Sequence, residues 1–335
     1  MNGMNTKQPL LSICIPTYNR AKILEDVLNN YVSNKEFDDE VEIVISDNAS
    51  TDETQSICEK YAEKYHNIRY RRNDTNLRDI NFVEVLNFAT GKYLKLMNDW
   101  TYYAEDGLRY VKDAIRENIN EKNLIFFSVH WLCTKWNDEE IIKCNSLDEY
   151  VQVVSIIVTS NNLFGAWIED WREIKDKIKY SDYKLQQDDW TYQLMERKKK
   201  CILYNKEKMS VSNVPLGPRE GYNWFEVHLD NYYKIMRPYI DKGLISYNTY
   251  KVDKRNFLYY YKHVFRNVYF PCKGWVFDTE GTTALLWKYY KSDFLYAIYF
   301  FFIRLPFHYM EVLTKKLSRK LGLCHKYNAP KNPGR

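Results

Sequence analysis

The chain has 335 residues, room for one large α/β domain with an appendage or for two small domains. Its 45% hydrophobic and 28% charged residues are ordinary for a globular protein that buries a full core, which argues against a disordered chain. The net charge of +5 is mild and gathers near the C-terminus, where Arg304, Lys315, Lys316, Arg319, Lys320, Lys326, Lys331 and Arg335 stand against Glu311 alone. With no nucleic-acid-binding signature in the chain, that basic end points to an anionic membrane surface.

The seven cysteines (Cys14, Cys58, Cys133, Cys144, Cys201, Cys272, Cys324) show no CxxC spacing and are odd in number. This argues against a disulfide framework and a zinc site, and fits reduced thiols in the cytoplasm. The start MNGMNTKQP lacks an apolar stretch, so no signal peptide is read. Thirty tyrosines join 9 tryptophans and 16 phenylalanines. Such rings suit interfaces and sugar-stacking faces, although an AT-rich genome also yields this bias.

In chain order, residues 10–16 predict a buried strand, 21–33 a helix with Ile23, Leu24, Val27, Leu28 and Val32 on one face, and 41–46 a second strand. Ser50 and Glu53 have capping-box spacing and predict a helix through Tyr65. Strand 68–71, helix 80–89 stopped by Gly91, strand 93–97, helix 104–118 and strand 124–130 follow. Strands alternating with helices of this length predict a mainly parallel sheet with helices on both faces. Beyond residue 140 the pattern loosens. Ser146 and Glu149 again have capping-box spacing before the apolar run 150–158, a short helix is expected at 188–196, and 224–239 and 247–265 read as helical. The aromatic stretch 294–310 is interrupted by Arg304, Pro306 and His308. A membrane span needs about 20 uninterrupted residues, so an interfacial helix is the expectation.

Ligands of an open parallel sheet sit beyond the carboxyl ends of its strands. The clusters Pro16-Thr17-Tyr18-Asn19-Arg20 and Asp47-Asn48-Ala49-Ser50 should therefore share one crevice. A carboxylate at a buried strand end needs a partner. Asp47 either caps the next helix or meets a ligand, and Ser50 is the better-placed cap.

IPTYNR at 15–20, ISDNASTD at 45–52, KLMND at 95–99 with ATGKYL before it, and the acidic pair in QQDDWTYQL carry a resemblance. The chain resembles the family-2 inverting glycosyltransferases of the GT-A fold, of the abequosyltransferase-like type found in bacterial O-antigen and capsule synthesis. The resemblance covers residues 10–215 well and the rest loosely. It implies an α/β, GT-A-type, mostly parallel sheet flanked by helices, with a helical C-terminal extension. The expected divisions are 8–215 for the transferase domain, 216–292 for a helical region and 293–325 for an aromatic, basic membrane-interface segment.

The resemblance implies donor contacts from Pro16, Thr17, Tyr18, Arg20, Asp47, Asn48, Arg78, Asn98, Asp99 and Arg219, with Asp47 accepting from a pyrimidine N–H. Asp99 would hold Mg²⁺ or Mn²⁺ on the donor diphosphate. Relatives usually carry two or three aspartates at that position, whereas Trp100 and Thr101 follow here. They also often have Asn-x-Gly where this chain has Asn76-Leu77-Arg78. Arg78 pairs with the base or diphosphate, or is a solvated helix-start residue. Asp189, then Asp188, is the implied general base, unless both acids serve the helix dipole. Phe164, Gly165, Trp167 and Trp190 are implied on the acceptor side, with Trp224 as a further platform, and His228 reads as a helix-surface residue.

The expected protein is a cytoplasmic enzyme, peripheral on the inner face of the plasma membrane, of unspecified oligomeric state. It moves a sugar from a nucleotide-diphosphate sugar to a lipid-linked oligosaccharide. The alternative is a degenerate domain that binds nucleotide or glycan without turnover. A nucleotidyltransferase would want a Gly-rich phosphate loop after the first strand, and residues 16–20 contain no glycine.

Overall fold

The computed structural model describes residues 8–128, 140–206, 208–213, 221–269 and 277–320. In chain order these form β1 (Leu11–Thr17), α1 (Ala21–Val32), β2 (Val41–Asp47), α2 (Thr54–Lys64), β3 (Ile68–Arg72), α3 (Asn81–Phe88), β4 (Tyr93–Leu96) and β5 (Thr101–Tyr103). Next come α4 (Glu105–Asn118), β6 (Leu124–Phe127), β7 (Ile141–Cys144), α5 (Leu147–Val154), β8 (Gly165–Trp167), α6 (Ile168–Glu173), α7 (Gln186–Lys198), β9 (Cys201–Tyr204) and β10 (Ser210–Ser212). The rest is helical: α8 (Tyr232–Asp241), α9 (Tyr247–Tyr260), α10 (Lys262–Tyr269), α11 (Thr282–Tyr290), α12 (Phe294–Tyr299) and α13 (Leu305–Lys320).

The main sheet runs β3-β2-β1-β4-β8, parallel except for β8. β1 and β2 are buried along nearly their whole length, as parallel strands covered on both faces must be. α1 lays Leu24, Val27, Leu28 and Tyr31 on this sheet at helical spacing. Small sheets β6-β9-β7 and β10-β5 complete the α/β part. The described residues fall into two compact units. One runs to Asp253 and includes residues 277–279; the other starts at Lys254 and resumes at Glu280.

Several local expectations change. The Ser50–Glu53 capping box does not form, and α2 starts at Thr54, whose N–H is accepted by Asp52 Oδ1 at 3.0 Å. Ala49 turns left-handed (φ 62°), and the Ser50 hydroxyl accepts from Asn19 N–H instead, at 2.8 Å. The Ser146 cap does form, accepting Glu149 N–H at 3.1 Å. The apolar run 150–158 is helical only to Val154, ending at Ser155 (φ 52°), and the expected helix 247–265 breaks between α9 and α10. The short strands β5, β7, β8, β9 and β10 have no local signature and form only through their partners. Cys144 and Cys201 face each other across β7 and β9 as free thiols. The end of the expected 124–130 strand lies outside the described residues.

Candidate functional site

The β1–β4 ladder ends at Cys14↔Leu96, with Met97 N–H donating to Cys14 O at 2.9 Å. Pro16 lies past that end, where its missing N–H costs no ladder bond. The two strands then diverge and are bridged by one side-chain contact. Thr17 Oγ1 donates to Asp99 Oδ2 at 2.8 Å. Asp99 is 5% exposed. Burial pushes its carboxyl up to about 6, against the opposing pull of the Thr17 hydroxyl and the Arg20 charge. Tyr18 beside it is 41% exposed, and Trp100 is half-buried.

Asp47 is fully buried at the end of β2. Its Oδ1 accepts Ser50 N–H at 2.9 Å, and its Oδ2 accepts the Tyr70 hydroxyl at 3.0 Å with Arg72 Nε at 3.7 Å. The chain itself thus supplies the partners that the sequence left open. Asn48 clamps the loop after β3. Its Oδ1 accepts Leu77 N–H at 2.7 Å, and its Nδ2 donates to Asn76 Oδ1 at 2.9 Å and Arg78 O at 3.1 Å. Arg78 is exposed and left-handed at φ 51°. Its backbone thus takes a conformation that glycine adopts most readily.

Asn98 N–H donates to Asn162 Oδ1 at 2.7 Å, and Asn162 Nδ2 to Thr101 Oγ1 at 3.2 Å. Lys95 is buried beneath this strut and donates to the carbonyls of Asn162 and Phe164. Burial pushes its ammonium down to about 7. Lys95, Thr101 and the strut role of Asn162 went unrecognised in the sequence, since nothing local signals a contact across some 64 residues.

The first turn of α7 meets the same region: Gln186 Nε2 donates to Asp79 O, and Gln187 Nε2 to Thr159 O at 2.9 Å. Asp189 Oδ1 accepts the Tyr239 hydroxyl at 2.8 Å, and Oδ2 accepts Gln193 Nε2 at 2.8 Å. Asp188 is fully buried, and burial followed by the Asp189 charge pushes its carboxyl well above the usual range.

The acceptor-side candidates are core residues. Phe164, Trp171 and Trp190 pack edge to face, with centroids 4.9–6.1 Å apart, and Trp167 packs on Tyr93 at 5.4 Å. A Cβ at Gly165 would lie 2.2 Å from the Tyr93 hydroxyl. Phe164, Trp167 and Trp190 therefore present no face to a sugar in this conformation. Trp224 is also buried and packs tilted against His228, centroids 4.6 Å apart, so His228 is half-buried and not a surface residue. Arg219 lies outside the described residues.

Among the described residues no three His, Cys, Asp or Glu side chains gather as a metal-ligand cluster. The hard oxygens available are the Asp99 carboxylate and the Thr17 hydroxyl. That donor set suits Mg²⁺ or Mn²⁺ keeping most of its other ligands from water or phosphate.

Residues 12–121 match the family model Glycosyl transferase family 2. Over 108 residues the chain is 41% identical to abequosyltransferase RfbV of Salmonella typhimurium, covering 32% of this chain and 30% of that one. Over 93 residues it is 30% identical to the GalNAc(5)-diNAcBac-PP-undecaprenol beta-1,3-glucosyltransferase of Campylobacter jejuni, covering 27% and 29%. It thus spans under a third of the length of these curated relatives. The solved structure of S. aureus TarS aligns with a TM-score of 0.52 at 16% identity, over 76% of this chain and 43% of that one, which shows a shared fold.

Proposed function

We propose that this chain, which carries a family-2 glycosyltransferase domain on a GT-A fold, transfers a sugar from a nucleotide-diphosphate donor to a glycan acceptor with inversion. The observation that carries this reading is the opening between β1 and β4, closed at its base by the Thr17–Asp99 bond. Pro16, Thr17, Tyr18 and Arg20 frame the nucleoside, Asp47 and Asn48 shape its floor, and Asn98 and Asp99 face the diphosphate. Arg20 and Arg78 offset phosphate charge. Mg²⁺ or Mn²⁺ would rest on Asp99 together with the donor's own phosphate oxygens and would neutralise the leaving group.

Asp189 is the general base. It takes the proton of the acceptor hydroxyl as that oxygen bonds to the anomeric carbon and the bond to the diphosphate breaks, releasing the nucleoside diphosphate. Asp188 is fully buried, and its carboxyl, pushed well above the usual range by burial and then the Asp189 charge, is the less suited to that task. The acceptor in this reading is a lipid-linked oligosaccharide of bacterial surface polysaccharide synthesis, met at the cytoplasmic face of the plasma membrane. The undecaprenol-linked substrate for which the Campylobacter relative is named and the exposed apolar residues of α12 and α13 support it.

The single carboxylate at the strand end favours a second reading, a domain that binds nucleotide without turnover. Calorimetric titration with UDP, GDP, CDP and dTDP, each with and without Mn²⁺, tests both. One nucleotide should bind, more tightly with Mn²⁺, and Asp99→Ala should abolish the metal effect. No binding at all sinks the donor-site reading; binding without turnover of the matching nucleotide sugar selects the second.

A further inference from the structure

In the C-terminal unit, α12, a π-helical turn Phe300–Arg304 and α13 follow one another without a break. The inner face is anchored by Phe300, Leu305 and the Tyr309 hydroxyl, which donates to Lys262 O at 2.8 Å. The outer face is apolar. Ile303, Phe307, Met310, Leu313 and Leu317 recur at steps of three or four and are each more than half exposed, with Phe302 beside them at 77%. An exposed stripe of this size marks an interaction surface. No helix among the described residues is long and apolar enough to cross a membrane.

Along one edge of the stripe lies a cavity of about 210 Å³ lined by Tyr259, Lys262, Arg304, Phe307, His308 and Glu311. At about 30 Å³ per water it has room for a phosphate group with part of its hydration. The Lys262 ammonium lies 4.3 Å, and the Arg304 guanidinium 5.6 Å, from the centroid of the Tyr259 ring. The ring's negative face holds the two cations together against their mutual repulsion. Among the described residues neither has a salt-bridge partner, and Glu311 is the one carboxylate in the lining.

We propose that this pocket binds the phosphate of an anionic phospholipid while the stripe enters the acyl layer of the same bilayer. Guanidinium and ammonium donors suit phosphate oxygens, and apolar side chains flanked by cations suit the membrane interface. The inference rests on reading the C-terminal helices as membrane-facing, and it names the lipid chemistry they take.

The test is sedimentation of the full chain with phosphatidylcholine vesicles, with and without phosphatidylglycerol. The wild type should bind the phosphatidylglycerol vesicles far more tightly. Lys262→Gln with Arg304→Gln should weaken that binding roughly 30-fold, at about fivefold per cation, whereas Lys262→Arg with Arg304→Lys should retain it. Phe307→Ser with Met310→Ser should abolish binding to either vesicle. Unchanged binding in the glutamine pair, or equal binding to both vesicles, overturns the proposal. So does a wild-type dimer in light scattering that the serine pair dissolves, since a second copy would then cover the stripe. Vesicle binding is read without nucleotide, so its failure and the failure of the transferase reading are separate outcomes.

Discussion

The two ends of the central sheet are built on opposite terms. At the N-terminal ends of the strands, Glu42 is buried and saturated. Its Oε1 accepts from the Ser12 hydroxyl (2.6 Å), Thr90 N–H (2.6 Å) and Gly91 N–H (3.0 Å), and its Oε2 pairs with Arg69 at 3.3 Å. At the C-terminal ends, Asp99 has the Thr17 hydroxyl and a distant Arg20 charge, and burial still lifts its carboxyl to about 6. The backbone there is also strained: Asn19, Ala49 and Arg78, in the loops after β1, β2 and β3, are all left-handed. Each costs about 1–2 kcal/mol unless local contacts compensate. One end holds the sheet together. The other keeps a carboxylate and three turns in states that a bound ligand could relieve.

Five substitutions bear on that contrast. Asp189→Asn should lower the turnover rate by roughly 10²–10⁴-fold and shift the unfolding midpoint little, while Asp188→Asn stays within a few-fold of wild type. Initial rates with the matched nucleotide sugar check this, and the reverse pattern would reassign the base. Glu42→Ala should cost about 3–5 kcal/mol in urea unfolding, because it strands Arg69 and several buried donors. Nucleotide affinity per folded molecule should not change. A larger effect on affinity than on stability would erase the distinction between the two ends.

Asp99→Asn should act in the opposite sense on stability. The native carboxyl titrates near 6 against an ordinary value of 3.8, so the folded state holds its proton more tightly than the unfolded state. Wild-type stability should therefore fall as pH rises from about 4 to 6 and lose nothing further from this group above that, about 3 kcal/mol in all. Asn at this position lacks that fall, and urea unfolding at several pH values would reveal it. A flat wild-type profile would mean that Asp99 is as well satisfied as Glu42. The smallest effect belongs to Arg78→Gly. It should change stability by at most about 1 kcal/mol, relief of strain being partly offset by the freer unfolded chain, while nucleoside-diphosphate affinity drops roughly tenfold with the lost charge-assisted bond.

Much of the α/β layout was legible, because doubly covered strands leave unbroken apolar runs and one-sided helices a period of 3.6, and both survive without partners. The polar strand ends were legible for the same reason: each interrupts a long apolar run. Illegible were the contacts that decide what those ends do. Ser50 looked like a helix cap until Asn19, 31 residues away, took its oxygen. Asp47 looked in need of a ligand until Tyr70 and Arg72 came alongside on β3. Trp167 and Trp190 looked like sugar platforms, since an aromatic in a sequence carries no mark of which side it faces.

Local pattern alone yields a doubly covered parallel sheet, a polar crevice past the ends of β1, β2 and β4, an acidic pair opening α7 and an apolar, basic C-terminal helix. These follow from local pattern, which fixes hydrogen-bonded period and burial within a few residues. Folding adds that Thr17 meets Asp99, that Arg78 keeps a glycine's conformation, and that Lys262 and Arg304 share one tyrosine ring. Each joins groups far apart in the chain or sets a dihedral that its own side chain disfavours, so packing of the whole unit, and not local preference, selects it.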